Sequence, residues 1–286
     1  MRSPDIVVAF QGEFGAFSEM AARAYFHEAV TVAPQTSFAA IFEAVEGGVC
    51  THGMAPIENS LAGSIHENYD LLLKHTLQIV GEIKLRIVHN LIVHPGVRLA
   101  SVRRIYSHPQ ALAQCSEFIR HVRDAEPVIH YDTAGAVKHL KETGEKDAAA
   151  IASAQAAIDY GLEILQAGIE NNHQNYTRFL VVAPEAAEPE APAKTAIVFA
   201  MKDVPGALFK SLSVFALRDI NLLRIESRPL PGSPWEYAFY LDFEGHIGDE
   251  RCSRAVEHLG EIATFVRILG SYRAGDSVEG KVRQKR

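Results

Sequence analysis

The stretch that decides the domain organisation of this 286-residue chain is Pro-Glu-Ala-Ala-Glu-Pro-Glu-Ala-Pro-Ala, residues 184–193. Proline, alanine and glutamate dominate it and aromatic residues are absent, a composition typical of a semi-extended linker. It predicts a boundary between two folded regions. We therefore expect a first region over residues 5–183 and a second over residues 194–272, followed by a disordered polar tail over residues 273–286.

The region before the linker alternates short apolar strands with helical patterns. Apolar residues in 38–45, for example, recur at i, i+3, i+4 and i+7, the spacing of one helix face, and an apolar strand follows at residues 54–57. A helix is likewise expected over residues 109–122. This alternation predicts an α/β region with mostly parallel sheets.

The region after the linker predicts the order strand, helix, strand, strand, helix, strand. Expected strands cover residues 195–201, 222–227, 235–243 and 265–272, and expected helices cover residues 205–217 and 249–259. In the third strand, aromatic and leucine residues alternate with more polar ones, which predicts one buried face. The order βαββαβ is the ferredoxin-like arrangement.

Composition and charge exclude several classes of function. Hydrophobic residues make up 48% and charged residues 22%, and the net charge is -7, so nothing global attracts nucleic acid or an acidic membrane. The three cysteines are far apart and odd in number, which argues against a disulfide framework or a zinc site and favours a reducing compartment. No signal-peptide core precedes the first strand and no apolar run could span a bilayer, so a cytoplasmic protein is expected.

The most informative polar segment is Glu-Asn-Asn-His-Gln-Asn-Tyr-Thr-Arg, residues 170–178, which lies between the apolar runs 164–169 and 179–183. An ordinary turn would favour glycine, proline or aspartate, and this segment has none of them. It offers amides, an imidazole, two hydroxyls and a guanidinium, a donor set that suits a small oxygen-rich anion. The alternative is a solvated polar loop.

Polar groups also follow strands at residues 11–18, 56–64 and 106–110. Because ligands of open α/β sheets collect at the carboxyl ends of strands, these segments and residues 170–178 predict a shared cleft. At the first of them, Ser18 is expected to cap a helix whose N-terminus could bind an anion. The patterns G-x-G-x-x-G, H-E-x-x-H and G-x-S-x-G are absent, so nucleotide binding, a metal and a serine nucleophile have no support.

Together these segments resemble the prephenate dehydratase family. The resemblance covers nearly the whole chain, and its carriers are residues 10–18, 56–63, 106–114, 175–179, 206–209 and 225–229. It implies a catalytic region of two α/β lobes, similar to periplasmic binding proteins, with the site in the cleft between them. It also implies that the βαββαβ region is a regulatory ACT domain that pairs with another subunit, in a homodimer or a homotetramer. No chorismate mutase region precedes residue 6, as in the monofunctional form.

The family's reaction is the conversion of prephenate to phenylpyruvate in phenylalanine biosynthesis, by loss of CO2 and of the ring hydroxyl, with no cofactor or metal. The step that needs help is departure of the hydroxyl, which calls for a hydrogen-bond donor at that oxygen. By resemblance Thr177 is this donor, orienting and stabilising rather than acting as a proton reservoir. Arg178 would bind a carboxylate, with a structural ion pair as its rival role.

Other residues would hold the substrate's oxygen atoms. By resemblance these are Asn59, Ser60, Ser107, Gln110, Gln114 and Asn175. Glu58 is unexpected beside a dianion: it is either protonated or it orients a neighbour such as Arg178. Two alternatives to this function stay open, an arogenate dehydratase, whose substrate has an amino group in place of the side-chain keto oxygen, and a non-catalytic amino-acid-binding sensor on the same scaffold.

The second region would bind phenylalanine and transmit feedback inhibition. Gly206 would let the backbone approach an amino acid closely, and the alternative is a helix start that simply favours Pro-Gly. The expected phenylalanine-binding residues are Asp203, Gly206, Ala207, Leu208, Asn221, Leu222, Glu226 and Ser227.

Overall fold

The computed structural model describes residues 6–26, 30–188, 190–230 and 236–282. Residue 5, Pro189, Trp235 and residues 283–286 of the predicted regions lie outside them. The chain divides into two compact units, the first from residues 1–65, 83–179 and 277–286 and the second from residues 66–82 and 180–276. The second unit thus includes, besides the region after the linker, a segment from within the first predicted region.

The strands of the described residues are, in chain order, β1 Val7–Gln11, β2 Thr31–Gln35, β3 His52–Asn59, β4 Gly63–Ser64, β5 Gln78–Arg86, β6 Asn90–Val93, β7 Arg104–Ser107, β8 Glu126–Ile129, β9 Ala148–Ala152, β10 Glu163–Ala167, β11 Tyr176–Ala183, β12 Ala193–Ala200, β13 Leu222–Pro229, β14 Tyr237–Glu244, β15 Phe265–Arg273 and β16 Ser277–Glu279. The helices are α1 Phe17–Phe26, α2 Phe38–Glu46, α3 His66–Lys74, α4 Pro109–Gln114, α5 Ser116–His121, α6 Thr133–Thr143, α7 Ala154–Tyr160, α8 Ala207–Ala216 and α9 Glu250–Ile262.

Two sheets confirm the predicted two-lobed α/β region. In the first sheet the strand order is β16-β5-β11-β3-β1-β2, with β1 parallel to both β2 and β3. In the second it is β10-β6-β9-β7-β8, where β7 is parallel to its neighbours but β6 is antiparallel to both of its own. The second sheet is therefore mixed rather than mostly parallel. Its middle strand β9 is buried at every position, as expected of a strand covered on both faces.

Three local predictions need correction. The predicted helix over residues 109–122 is two helices, α4 and α5, which meet at the buried Cys115. Helix α1 begins at Phe17, so Ser18 lies inside it and is not its cap. The tail is not disordered throughout, because residues 277–279 form β16 and pair in parallel with residues 84–86 of β5. The polar composition of the tail did not predict this strand. An edge strand is held by backbone hydrogen bonds to its neighbour, so its sequence need not be apolar.

The predicted βαββαβ order is confirmed in the second unit. Strands β12, β13, β14 and β15 form an antiparallel sheet in the order β13-β14-β12-β15, and α8 and α9 pack on it over a core that includes Phe199, Phe215 and Leu241. Strand β14 is buried on both faces rather than one. The second face is covered because Tyr240 packs against Tyr69 of α3 and donates a hydrogen bond to its carbonyl oxygen at 2.8 Å.

Charged side chains of this sheet bind α3. The Arg228 guanidinium binds the Asp70 carboxylate at 2.8 and 3.2 Å, and Arg267 donates to carbonyl groups at the C-terminal end of α3. A cation there is favoured by the helix dipole and by the unpaired carbonyls of the last turn. Strands β5 and β11 each continue from one compact unit into the other.

Candidate active site

Four of the predicted site residues form one hydrogen-bonded network in the first unit. The Asn59 side chain, at the end of β3, donates from Nδ2 to Asn175 Oδ1 at 2.7 Å and to Thr177 Oγ1 at 3.0 Å. The Tyr176 carbonyl shares these hydrogens at the longer distance of 3.2 Å. Gln114, the last residue of α4, donates to Asn59 Oδ1 at 3.3 Å and accepts from Asn175 Nδ2 at 3.0 Å. The end of β3, the end of α4 and the start of β11 are distant in the sequence, and they meet beside the Thr177 hydroxyl.

The orientation of the Asn59 carboxamide follows from its backbone neighbours. The N–H groups of Leu61 and Ala62 both point at Asn59 Oδ1, at 3.1 and 2.9 Å. A backbone N–H can only donate, so this atom is the oxygen and the nitrogen faces Thr177. Thr177 Oγ1 therefore accepts from Asn59, and the hydroxyl's own hydrogen is directed toward another acceptor. Thr177 is mostly buried, with 9% of its surface exposed.

Two residues that the motifs did not select complete the network. His89 Nε2 lies 3.0 Å from Gln114 Oε1, and the His89 backbone N–H donates to Glu170 Oε2 at 3.0 Å. Both side chains are buried, and burial lowers the pKa of His89 below its ordinary value. Glu170, the first residue of the polar segment 170–178, thus binds the backbone of His89. The sequence signal for these residues was the polar pair His89-Asn90 inside the strand-like segment 79–93.

Ser60 holds the polar segment 170–178 in place. Its hydroxyl donates to the carbonyl of Gln174 at 3.0 Å and accepts from the N–H of Tyr176 at 2.9 Å. The Ser60 N–H also donates to the Tyr176 carbonyl at 2.8 Å. These contacts position the residues just before Thr177.

Ser107 and Gln110 lie outside the network. The Ser107 hydroxyl is fully buried and donates to the Ile151 carbonyl of β9 at 2.6 Å, so its hydrogen is used within the second sheet. Gln110 is exposed in the first turn of α4, and its backbone N–H donates to His108 Nδ1. The sequence pattern, polar residues that follow a strand, does not distinguish a side chain that bonds within the protein from one that binds a ligand.

Glu58 and Arg178 are half-buried on the neighbouring strands β3 and β11. Successive side chains of a strand point to opposite faces, which directs Arg178 away from the side of β11 that carries the Thr177 hydroxyl. The sequence neighbours Thr177 and Arg178 therefore do not form one local pair.

The expected anion site at the N-terminus of α1 is occupied by the chain itself. The Glu19 carboxylate, from the first turn of α1, accepts from the Gly15 N–H at 2.7 Å. Gly15 has φ +85°, and a Cβ there would lie 2.5 Å from Ala156 Cα of α7. The Ser153 hydroxyl donates to the Gly15 carbonyl at 2.6 Å. The glycines of this loop thus permit close packing against the second sheet's helices.

The expected phenylalanine-binding residues lie on two elements of the second unit. Gly206, with φ +78°, precedes α8, and a Cβ on it would meet no atom of the described chain within 4 Å. Asn221 donates to Glu244 Oε1 at 3.0 Å just before the edge strand β13. Glu226, on β13, lies 3.3 Å from both Arg224 and His66. The remaining members are half-buried or exposed, namely Asp203, Ala207, Leu208, Leu222 and Ser227.

A family model described as prephenate dehydratase matches residues 8–187. This chain belongs to the prephenate dehydratase family. The arogenate dehydratase/prephenate dehydratase 2 of Arabidopsis thaliana is 47% identical over 276 residues, which cover 93% of this chain and 72% of that protein. The arogenate dehydratase 2 of Petunia hybrida is 45% identical over 287 residues, or 95% of this chain and 72% of the relative.

Solved structures support the same family. The prephenate dehydratase of Arthrobacter aurescens, in complex with L-Phe, is 34% identical with a TM-score of 0.86, covering 94% of this chain and 90% of that one. GqqA, described as a novel type of quorum quenching acylase, is 38% identical with a TM-score of 0.86, covering 94% and 98%. Our chain is thus a dehydratase of this family. Across the residues that the structure describes, no helix is long and apolar enough to cross a membrane.

Proposed function

We propose that this dehydratase converts prephenate to phenylpyruvate, in phenylalanine biosynthesis, and that phenylalanine inhibits it. The observation that carries the catalytic part is the donation from Asn59 Nδ2 to Thr177 Oγ1, whose direction is set by the Leu61 and Ala62 N–H groups. It leaves the Thr177 hydroxyl hydrogen available to a substrate oxygen. A leaving hydroxyl is such an oxygen.

In the proposed reaction the ring carboxylate leaves as CO2. The electron pair of the broken carbon–carbon bond enters the ring, and the carbon–oxygen bond to the ring hydroxyl breaks as the ring becomes aromatic. The departing hydroxide takes up a proton from the solvent and becomes water. Thr177 donates a hydrogen bond to that oxygen as negative charge develops on it, and donation from Asn59 to Thr177 strengthens this bond by polarising the hydroxyl.

The rest of the network supplies donors for the substrate's carboxylates. Each carboxamide nitrogen carries two hydrogens, and the contacts within the described residues use one from Gln114 and one from Asn175. We assign the second N–H of each to substrate oxygen atoms. Because Arg178 leaves β11 on the face opposite Thr177, we assign it the structural role that was its alternative, with Glu58 on the neighbouring strand. Ser60 and Ser107 hold the surrounding backbone, and Gln110 is given no contact with the substrate.

Regulation by phenylalanine is proposed for the second unit, as an ACT domain. The βαββαβ sheet and the open space at Gly206 support it, and so does the L-Phe bound to the Arthrobacter relative. A homodimer or homotetramer is proposed because Leu223 and Ile225 on the edge strand β13 and Phe209 on α8 expose apolar side chains. We propose a cytoplasmic location, although several plant relatives are named as chloroplastic.

Arogenate is the alternative substrate, because relatives of about equal similarity are named arogenate dehydratases. The two substrates differ in one group, a keto oxygen or an ammonium, so one polar contact decides between them. Turnover of each by the purified protein measures the preference. A higher kcat/KM on arogenate would replace prephenate as the proposed substrate.

The decisive experiment incubates the protein with prephenate and records phenylpyruvate absorbance, with and without phenylalanine. We expect turnover that falls when phenylalanine is added. Binding of phenylalanine without turnover of either substrate would instead favour the non-catalytic sensor. Release of an amine from an N-acyl compound, tested in parallel because of the similarity to GqqA, would favour an acylase.

A further inference from the structure

His89 lies directly behind the network that holds Thr177. It follows β5, only 2% of its surface is exposed, and its ring packs edge-on against Phe17 at 5.5 Å between ring centroids. Its Nε2 atom meets Gln114 Oε1 at 3.0 Å. Neither the motifs of the sequence nor the proposed reaction assigns this imidazole a role.

The hydrogen positions of the whole network follow from the two backbone N–H groups at Asn59. Since Asn59 Oδ1 is an acceptor, the Gln114 atom 3.3 Å from it must be the nitrogen. The other end of the Gln114 carboxamide is then the oxygen, and it faces His89 and Asn175. An oxygen can only accept, so His89 must carry a hydrogen on Nε2.

The other ring nitrogen has no such partner. Within the described residues, His89 Nδ1 is buried and makes no hydrogen bond. The Glu170 carboxylate accepts from the His89 backbone N–H. Burial lowers the pKa of the His89 ring, against the smaller raising effects of the Gln114 contact and the Glu170 charge. The imidazole is therefore neutral with its hydrogen on Nε2. A side chain present only for packing, such as phenylalanine, would fill the site without an unsatisfied buried acceptor.

We propose that His89 is a positioning residue: its Nε2–H holds the Gln114 carboxamide in place, and Gln114 in turn holds Asn59 and Asn175 beside the Thr177 hydroxyl. This proposal rests on the proposed function of Thr177. The Asn59 and Asn175 contacts already define which end of Gln114 is the oxygen. Without the His89 donor, that oxygen keeps, of these two bonds, only the one from Asn175, the carboxamide is held less firmly, and the geometry at Thr177 is less well fixed.

Two variants separate donation from packing. His89→Phe keeps a planar ring beside Phe17 and removes the donor, whereas His89→Gln supplies an amide N–H. We expect His89→Phe to lower kcat on prephenate by about tenfold to a hundredfold, the range for groups that orient a catalytic residue, with KM changed less than about threefold. His89→Gln should recover most of the lost kcat. The matched control His52→Phe, at a half-buried histidine of β3 outside the network, should stay within about twofold of wild type.

A double-mutant cycle tests whether His89 acts through Thr177. In a Thr177→Ala background the His89→Phe penalty should largely disappear, because no hydroxyl remains to be positioned. Penalties that multiply, no loss of kcat in His89→Phe, or no recovery in His89→Gln would each overturn the proposal.

The tautomer can be measured without any turnover. Nitrogen-15 NMR of histidine-labelled protein, with the His89 signals assigned by their loss in His89→Phe, should show a neutral ring protonated on Nε2. Protonation on Nδ1 would overturn the proposal. An inactive wild-type protein that still shows the Nε2–H tautomer would instead place the failure in the proposed function.

Discussion

At the scale of single residues, the site depends on which end of one carboxamide faces Thr177. Asn59 and Thr177 are 118 residues apart in the sequence, and no local pattern links them. Two backbone N–H groups decide the Asn59 orientation, and every other hydrogen in the network follows from it. This orientation would let Thr177, a weak acid, act as the hydrogen-bond donor that we propose.

The first prediction concerns that donor. Thr177→Ala should lower kcat by about two orders of magnitude or more, the scale for loss of a positioned transition-state donor, while the fold is preserved. Thr177→Ser keeps the hydroxyl and should retain much more activity. Steady-state kinetics on prephenate measure both, and circular dichroism checks the fold. Near-wild-type turnover in Thr177→Ala would remove Thr177 from the mechanism.

At the scale of elements, the loop between β1 and α1 shows how a polar strand exit can be structural. Its helix N-terminus suggested an anion site, but the Glu19 carboxylate fills that position. Whether the Glu19 carboxylate can reach the Gly15 N–H depends on the residue at which α1 begins. Local sequence defines helix boundaries poorly.

The second prediction tests the packing of this loop. Gly15→Ala should lower the free energy of unfolding by about 2–4 kcal/mol, because the new Cβ would overlap the backbone of Ala156 in addition to the strain at positive φ. Gly161→Ala is the matched control: its φ is +65° and no atom lies within 4 Å of a Cβ, so about 1 kcal/mol is expected. Urea unfolding measures both. Equal losses would show that the contact with α7 contributes nothing.

The third prediction concerns the start of α8. Gly206→Ala should weaken phenylalanine inhibition at least about tenfold while basal turnover stays within about twofold, because its Cβ would project into space that the bound amino acid is proposed to use. Gly144→Ala, at φ +70° with similar open space in the first unit, carries the same backbone strain and should leave inhibition unchanged. Inhibition of unaltered potency in Gly206→Ala would move the regulatory site elsewhere.

At the scale of the whole molecule, the second unit is completed by residues 66–82, which residues 83–179 separate from the rest of it in the sequence. Glu82 of β5, 3% exposed, accepts from Lys194 of β12, 5% exposed, at 2.8 Å, and Asp242 lies 3.5 Å from the same ammonium. The two residues of this contact are far apart in the sequence. His89 follows β5 in the chain.

The fourth prediction tests this buried pair. Lys194→Met should lower the free energy of unfolding by about 3–5 kcal/mol, because it removes a buried ammonium that binds the Glu82 carboxylate and lies near that of Asp242. Arg254→Met is the control, since Arg254 and Glu250 form an exposed pair whose loss should cost less than about 1 kcal/mol. Chemical unfolding followed by fluorescence gives both values. A loss below about 1 kcal/mol in Lys194→Met would mean that solvent reaches the site and replaces the ammonium.

Local sequence patterns were enough to predict the fold class, the order of elements after the linker and the family. Apolar periodicity identified the α/β region and the βαββαβ order, and the donor-rich segment 170–178 pointed to the Thr177 site and, with the other motifs, to the dehydratase family. Only the folded structure shows the partners of each hydrogen bond, the contacts of His89 and Glu170, the internal use of the Ser107 hydroxyl, and the joining of residues 66–82 to the second unit. The physical reason is that side-chain polarity is local information, whereas the partner that satisfies each polar group arrives from a distant part of the chain.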